Sequence, residues 1–178
     1  MRICERHHLR FYRRTCVPVT LLTGDIDFRL VNVHDFPWGE HPMQEFRDQY
    51  RQRFASGARA WIGMDDDRVA FSSWVEEHRL YIDELYSTWK LAPPDAVVYD
   101  VVTMPEYRGR GIYPDALRRL CGRLAEEGLR HLWIYAEEEN ESSLRGIAKA
   151  DFEYHGSIRL SALFGVKRRR GNISGVNL

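Results

Sequence analysis

The chain has 178 residues, 44% of them apolar, and its 26 basic and 26 acidic side chains cancel to zero net charge. That length supports one domain with a sizeable core. A neutral chain sets up no global field toward nucleic acid or anionic lipid, and no apolar run approaches the ~20 residues of a membrane span.

The first eight residues lack the apolar core of a secretory leader. Three cysteines, Cys4, Cys16 and Cys121, offer no disulfide framework, so a cytoplasmic protein is expected. The spacing of Cys4, His7, His8 and Cys16 fits no standard zinc module, and no metal is expected. Arg10, Arg13 and Arg14 near one end and Lys167, Arg168, Arg169 and Arg170 near the other read as solvated charge, with contact to a polyanion as the functional alternative.

Residues 27–33 alternate as a strand does, and residues 34–39 form a turn around Pro37. Met43, Phe46, Tyr50 and Phe54 make an apolar stripe, which predicts an amphipathic helix over 41–55. Residues 58–64 and 68–75 form a hairpin across Asp65, Asp66 and Asp67, which suit a solvent-facing turn better than a metal site. Residues 76–95 admit two readings. Tyr81, Leu85 and Trp89 share a helical face, while the pattern around Leu80 permits a strand; Pro93 and Pro94 end either. Rich in aromatics and just before the next strand, this stretch is expected near an acceptor pocket.

The most informative stretch follows. Residues 96–103 are an apolar strand candidate, and residues 104–114 a loop carrying Arg108, Gly109, Arg110 and Gly111. Then comes a helix over 112–127 with Leu117, Leu120, Cys121 and Leu124 on one face and Gly128 as its stop. Strand, Gly/Arg loop and helix start together cradle a phosphate: backbone N–H groups point inward, the helix N-terminus adds positive charge, and glycine lets the chain approach closely. Arginines add formal charge, and Pro114 suits a first helical turn. Neither the three-glycine dinucleotide fingerprint nor a Walker loop is present. Residues 129–136 read as a second strand. Asn140 caps a second helix over 140–150 bearing Leu144, Ile147 and Ala148 on one face, which completes a parallel crossover unit.

The loop resembles the acyl-coenzyme A pyrophosphate loop of the GNAT superfamily of N-acetyltransferases. Arg108 and Gly111 fill its Arg/Gln-x-x-Gly-x-Gly/Ala pattern, with Tyr113 at the small-residue position. Asn140, Ser143, Lys149 and Phe152 match the spacing of the family's Asn-x-x-Ala/Ser…Tyr-x-Lys-x-Gly-Phe segment, whose Tyr, often the acid that protonates the leaving thiolate, falls on Ile147 and whose Gly falls on Asp151. The resemblance implies an α/β (α+β) fold in one domain over 1–178: a mixed, mostly antiparallel sheet of about six to seven strands with a splayed central parallel pair, flanked by about four helices.

It also implies roles. Val101, Val102 and Thr103 would pair with the pantetheine arm. Arg108, Gly109, Arg110, Gly111, Ile112, Tyr113 and Pro114 would hold the pyrophosphate, with Asn140 and Ser143 also on the cofactor. Tyr135, Tyr99 and Glu137 are the acid–base candidates, and Asp100, Tyr154 and His155 lie near enough in sequence to consider. Tyr99 shares a strand face with Val101 and Thr103 by the two-residue period, and Asp100 points the other way. The expected reaction is transfer of an acetyl or other acyl group from coenzyme A to a primary amine of a small molecule such as an amino sugar, amino acid or polyamine. The alternatives are acetylation of a protein N-terminus or lysine, and a coenzyme A-binding or nucleic-acid-associated module without catalysis. Acetyl-CoA is the expected co-substrate. No membrane partner and no nucleic acid are expected, and a homodimer is left open.

Overall fold

The computed structural model describes residues 4–18, 25–39, 44–163, 166–171, 173–174 and 176–178. In chain order the elements are β1 (Cys4–Thr15), β2 (Asp27–Val31), α1 (Arg47–Ala55), β3 (Arg59–Asp65), β4 (Arg68–Glu76), β5 (Arg79–Ile82), β6 (Ser87–Lys90) and β7 (Asp95–Thr103). Then come α2 (Ile112–Glu126), β8 (His131–Glu137), α3 (Glu141–Lys149), β9 (Glu153–Leu163) and β10 (Val166–Arg170). Eight strands form one sheet in the order β10-β9-β1-β8-β7-β4-β3-β2, and β5 and β6 form a separate hairpin. Within the large sheet β7 and β8 pair in parallel and every other neighbouring pair is antiparallel.

The centre of the sheet is covered on both faces, so its strands read as continuous apolar runs. Residues 69–76 of β4 and 96–99 of β7 are buried throughout. On one face α2 sets Ala116, Leu117, Leu120, Cys121 and Leu124 into the core, each fully buried. Trp61 on β3 donates Nε1–H to the Ala116 carbonyl at 3.0 Å, so its one polar atom is satisfied against the helix. Just past α2, Gly128 takes φ 87°, a left-handed stop that glycine reaches without Cβ strain.

β1 was not foreseen as a strand. It lies between β8 and β9, with Leu9 opposite Glu137 on one side and Ile158 on the other. Leu9 and Phe11 are fully buried. The arginines of this segment are engaged. Arg10 pairs with Glu138, Arg13 stacks 5.1 Å from the Trp133 ring centre, and Arg14 reaches Asp151 at 3.2 Å. The expectation of a solvated basic end fails here, because a long inserted strand uses these side chains to bind its neighbours. The far cluster does lie outside: Lys167 to Arg170 belong to β10, an exposed edge strand. Lys167 sits over the Tyr86 ring and Arg169 reaches Ser87 at 3.0 Å.

Among the described residues three α-helices are present where about four were expected. Residues 79–90 make the hairpin instead. Leu80, Ile82 and Trp89 turn inward, while Tyr81 is 52% exposed, the alternation of a strand pair. The sheet has eight strands instead of six to seven: β1, β9 and β10 join the five read from the sequence. The helix expected over 41–55 begins at Arg47 after a 3-10 turn over Gln44–Phe46. Tyr50 is buried on it, and His41 and Met43 lie outside the described residues.

Of the residues weighed as metal ligands, Cys16 stands apart from His7 and His8, and the Cys4 side chain lies outside the described residues. His7 and His8 pair with Glu137 and Glu138, whereas Cys16 is buried past the other end of β1 beside Cys121. Among the described residues no group of His, Cys, Asp and Glu is arranged to hold a metal ion. No helix among them is long and apolar enough to cross a membrane.

Candidate active site

β7 and β8 stay paired from Asp95↔His131 to Val98↔Ile134 and then separate. On its other side β7 slips against β4 between Ser72↔Val102 and Trp74↔Tyr99. Asp100 in this bulge takes φ 48°, a left-handed conformation unusual for a non-glycine residue. The bulge breaks the expected two-residue alternation, so Tyr99, Asp100, Val101 and Val102 all border one cavity. The Met104 N–H bonds the Ala70 carbonyl on β4. Counting back by two along the regular register, the Val102 N–H also faces β4, while the Thr103 N–H turns to the open side.

An open cleft of about 650 Å³ starts at that side and runs across the N-terminal ends of α2 and α3. Of the expected cofactor residues, Val101, Val102, Thr103, Arg108, Gly109, Gly111, Ile112, Tyr113, Pro114, Asn140 and Ser143 line it. Gly109 and Gly111 hold φ 79° and 77°, and a Cβ at either would meet nothing within 4 Å, so the loop faces open space. Arg108 donates from Nε to the Thr103 carbonyl at 3.2 Å, which closes the loop on the strand. Asn140 Oδ1 accepts from the Ser143 N–H at 3.1 Å and caps α3. Thr103 Oγ1 is buried without a partner among the described residues.

Open glycines, two helix N-termini, nearby arginine and an unpartnered hydroxyl fit a bound pyrophosphate and amide arm. Arg110 is the exception. Its guanidinium stacks 5.1 Å from the Tyr107 ring centre and borders a different hollow with Asp25, Asp65 and Asp115. Arg145 and Lys149 of α3, unassigned from sequence, complete the cationic lining of the cleft.

A second cavity of about 390 Å³ adjoins the cleft, and the two share Val101, Val102, Tyr113, Asn140 and Ser143. Tyr99, Tyr135 and Glu137 all line it. Tyr135 stacks on Phe11 with ring centres 5.6 Å apart, and burial holds its phenol well above the usual value. Tyr99 is buried beside Arg53, and burial raises its phenol too. Glu137 is anchored by β1: its Oε1 lies 2.6 Å from His7 Nδ1, and its Oε2 accepts from the His8 N–H at 3.1 Å. Tyr154 and His155 do not reach this cavity. Tyr154 is 57% exposed on β9 against Tyr12, and His155 packs on Trp133.

Sequence reading missed Glu84. It sits in the 3-10 turn Asp83–Leu85 that joins β5 to β6, and it borders the cavity together with Tyr99 and Tyr135. It forms no ion pair among the described residues, although His7 and Glu137 both act on it electrostatically. Burial raises its carboxyl above the ordinary range, and the nearby Glu137 charge adds to the rise. α1 and the 3-10 turn before it roof the cavity, α1 through Gln49 and Tyr50 and the turn through Phe46. Arg53 on the same helix pairs with Asp100 and lies within 5.1 to 5.6 Å of the Tyr99, Trp74 and Tyr50 ring centres.

The acetyltransferase (GNAT) family matches this chain over residues 26–152. The chain belongs to that family. Among solved structures, a GNAT-family acetyltransferase from Colwellia psychrerythraea is 16% identical with a TM-score of 0.56, over 85% of this chain and 53% of its own. A putative GNAT acetyltransferase from Novosphingobium aromaticivorans is 18% identical with a TM-score of 0.58, over 88% of this chain and 63% of its own. The present chain therefore spans between half and two thirds of those two proteins. AAC(6')-Iy, in complex with the bisubstrate analogue CoA-S-monomethyl-acetylneamine, is 16% identical with a TM-score of 0.52, over 72% of this chain and 90% of its own. No curated protein matches the chain. The GNAT match ends at Phe152 and begins after β1, so the strand wedged between β8 and β9 lies outside the matched segment.

Proposed function

We propose that this GNAT domain transfers an acetyl group from acetyl-CoA to a primary amine of a small cationic molecule. One observation carries the reading: the cavity that shares a wall with the cleft is bordered by three carboxylates, Glu84, Asp100 and Glu137. A protonated amine is drawn to such a cavity, and a volume of about 390 Å³ suits a small acceptor. The AAC(6')-Iy complex, whose ligand is the bisubstrate analogue CoA-S-monomethyl-acetylneamine, supports the reading of a small amine acceptor.

Acetyl-CoA, when bound, supplies an acyl group activated as a thioester. The chain's residues do the rest. The Thr103 N–H orients the arm and faces the carbonyl oxygen where negative charge develops. Glu84, with its raised affinity for a proton, takes one from the incoming ammonium at Oε and frees the nitrogen lone pair. Glu137, fixed by His7 and the His8 N–H, holds the remaining positive charge of the acceptor. Tyr99 and Tyr135 wall the cavity and exclude water.

Acetyl-CoA turnover against a panel of amines tests this. Polyamines and amino sugars should be acetylated and neutral amines of equal size poorly so, with Glu84→Gln raising KM for the cationic ones. Turnover restricted to peptide N-termini or lysines would replace the small-molecule reading, and coenzyme A binding without turnover of any amine would make the domain a binding module.

A further inference from the structure

We propose that the Tyr113 hydroxyl donates the proton that the departing coenzyme A sulfur takes up. The inference rests on the proposed acyl transfer. A thioester lying in the cleft must present its carbonyl carbon to the amine cavity, so its sulfur falls at the wall the two spaces share. Among the described residues Tyr113 is the one tyrosine that borders both: Tyr50, Tyr99 and Tyr135 border only the amine cavity, and Tyr107 only the cleft.

Three contacts fix the ring there. Gly146 on α3 lies beneath it, and a Cβ at that position would stand 2.5 Å from Tyr113 Cδ1 and 2.8 Å from Cε1. Phe71 meets it edge-on at 6.4 Å between ring centres. The Ser143 side chain lies beside the Tyr113 oxygen, where it favours the ionised form. Ile147, one residue past Gly146, is fully buried and has no proton to give. Burial pushes the Tyr113 phenol up to about 12, so it holds its proton at neutral pH. A phenol that ring packing has oriented and a serine stabilises once ionised is equipped as an acid.

The step balances. The amine nitrogen bonds to the carbonyl carbon, the carbon–sulfur bond breaks and its electron pair stays on sulfur. Tyr113 Oη–H protonates that sulfur, and the phenolate, held by Ser143 Oγ–H, regains a proton from water in the open cleft. The protons shed by the amine leave through Glu84, so acylation of an ammonium releases one proton to solvent overall.

The test reads the sulfur directly. Coenzyme A is bound to wild type and to Tyr113→Phe, and its thiol is titrated by thiolate ultraviolet absorbance. A phenol hydrogen bond to the thiolate should make the wild-type-bound thiol about tenfold or more acidic than the same thiol on Tyr113→Phe. Coenzyme A affinity at neutral pH should be nearly the same for both, because the ring and its seat on Gly146 are kept. Turnover should fall about 10²-fold with little change in KM for acetyl-CoA. Ser143→Ala should shift the bound thiol in the same direction in wild type and not at all in the Tyr113→Phe background. Identical titrations in wild type and Tyr113→Phe would overturn the assignment while leaving the acyltransferase reading intact. Failure of wild type to bind coenzyme A would overturn both.

Discussion

The Arg53 guanidinium on α1 reaches the Asp100 carboxylate on β7, so the helix roofing the smaller cavity is tied to the bulge that shapes it. Arg53 is 14% exposed and surrounded by Tyr50, Trp74 and Tyr99, whereas Asp100 is 56% exposed. The partners are therefore unequal. Replacing Arg53 removes the ion pair and three ring contacts at once, while replacing Asp100 removes only a largely solvated acceptor.

Arg53→Met should accordingly destabilise the protein by about 2 kcal/mol, and Arg53→Lys should recover little, since a point charge neither forks nor stacks as guanidinium does. Asp100→Asn should cost less than Arg53→Met. Denaturant midpoints of the three variants check this, and equal costs for Arg53→Met and Asp100→Asn would contradict it.

Glu84 gives a pH-dependent expectation. Its carboxyl is raised mainly by burial, with the Glu137 charge second. A folded-state value above the unfolded one means that the fold binds this proton more tightly than the unfolded chain does. The ionised carboxylate therefore costs stability above its folded value, and the cost disappears as pH falls below the unfolded value. Glu84→Gln should be at least as stable as wild type at neutral pH, and the difference should vanish in acid. As the proton acceptor, Glu84 should also set the acidic limb of kcat/KM, which Glu84→Gln should flatten. An unchanged limb would assign Glu84 to binding alone.

The loop and its two helices were legible because their chemistry is local. Gly109, Gly111 and Gly128 sit where the backbone takes positive φ, and Asn140 sits where an N-cap is needed. What was hidden depends on distant pairing. β1 is matched to β8 and β9, more than a hundred residues away in sequence, and its arginines look like a solvated end until Glu138, Trp133 and Asp151 arrive beside them. Tyr81, Leu85 and Trp89 fit a helical period, yet the hairpin buries Leu80 and Ile82 along with Leu85 and Trp89, leaves Tyr81 exposed, and carries Glu84 to the cavity at its tip. The bulge at Asp100 undid the alternation from which its direction was read. Tyr113 stood out in sequence only as a misfit at a small-residue position. Its partner Gly146 explains the exchange, since the bulk absent from α3 is the space the ring fills.

Asn140 joins stability to binding. Its side chain caps α3 through the Ser143 N–H and borders both cleft and cavity. Asn140→Ala should cost about 0.5–2 kcal/mol from the lost cap and raise KM for acetyl-CoA. Lost stability with unaltered kinetics would confine Asn140 to capping.

The central claim is that the loop from Arg108 to Pro114 and the parting of β7 from β8 together hold coenzyme A. Calorimetric titration of coenzyme A into wild type and Gly111→Val tests it most directly. Gly111 stands at the start of α2 with φ 77°, where valine is strained, and its open side faces the cleft. Wild type should bind one coenzyme A per chain, and Gly111→Val should bind it more than about tenfold more weakly, since the loop could no longer close on the pyrophosphate. Equal affinity in the two proteins, or no binding to wild type, would contradict the account.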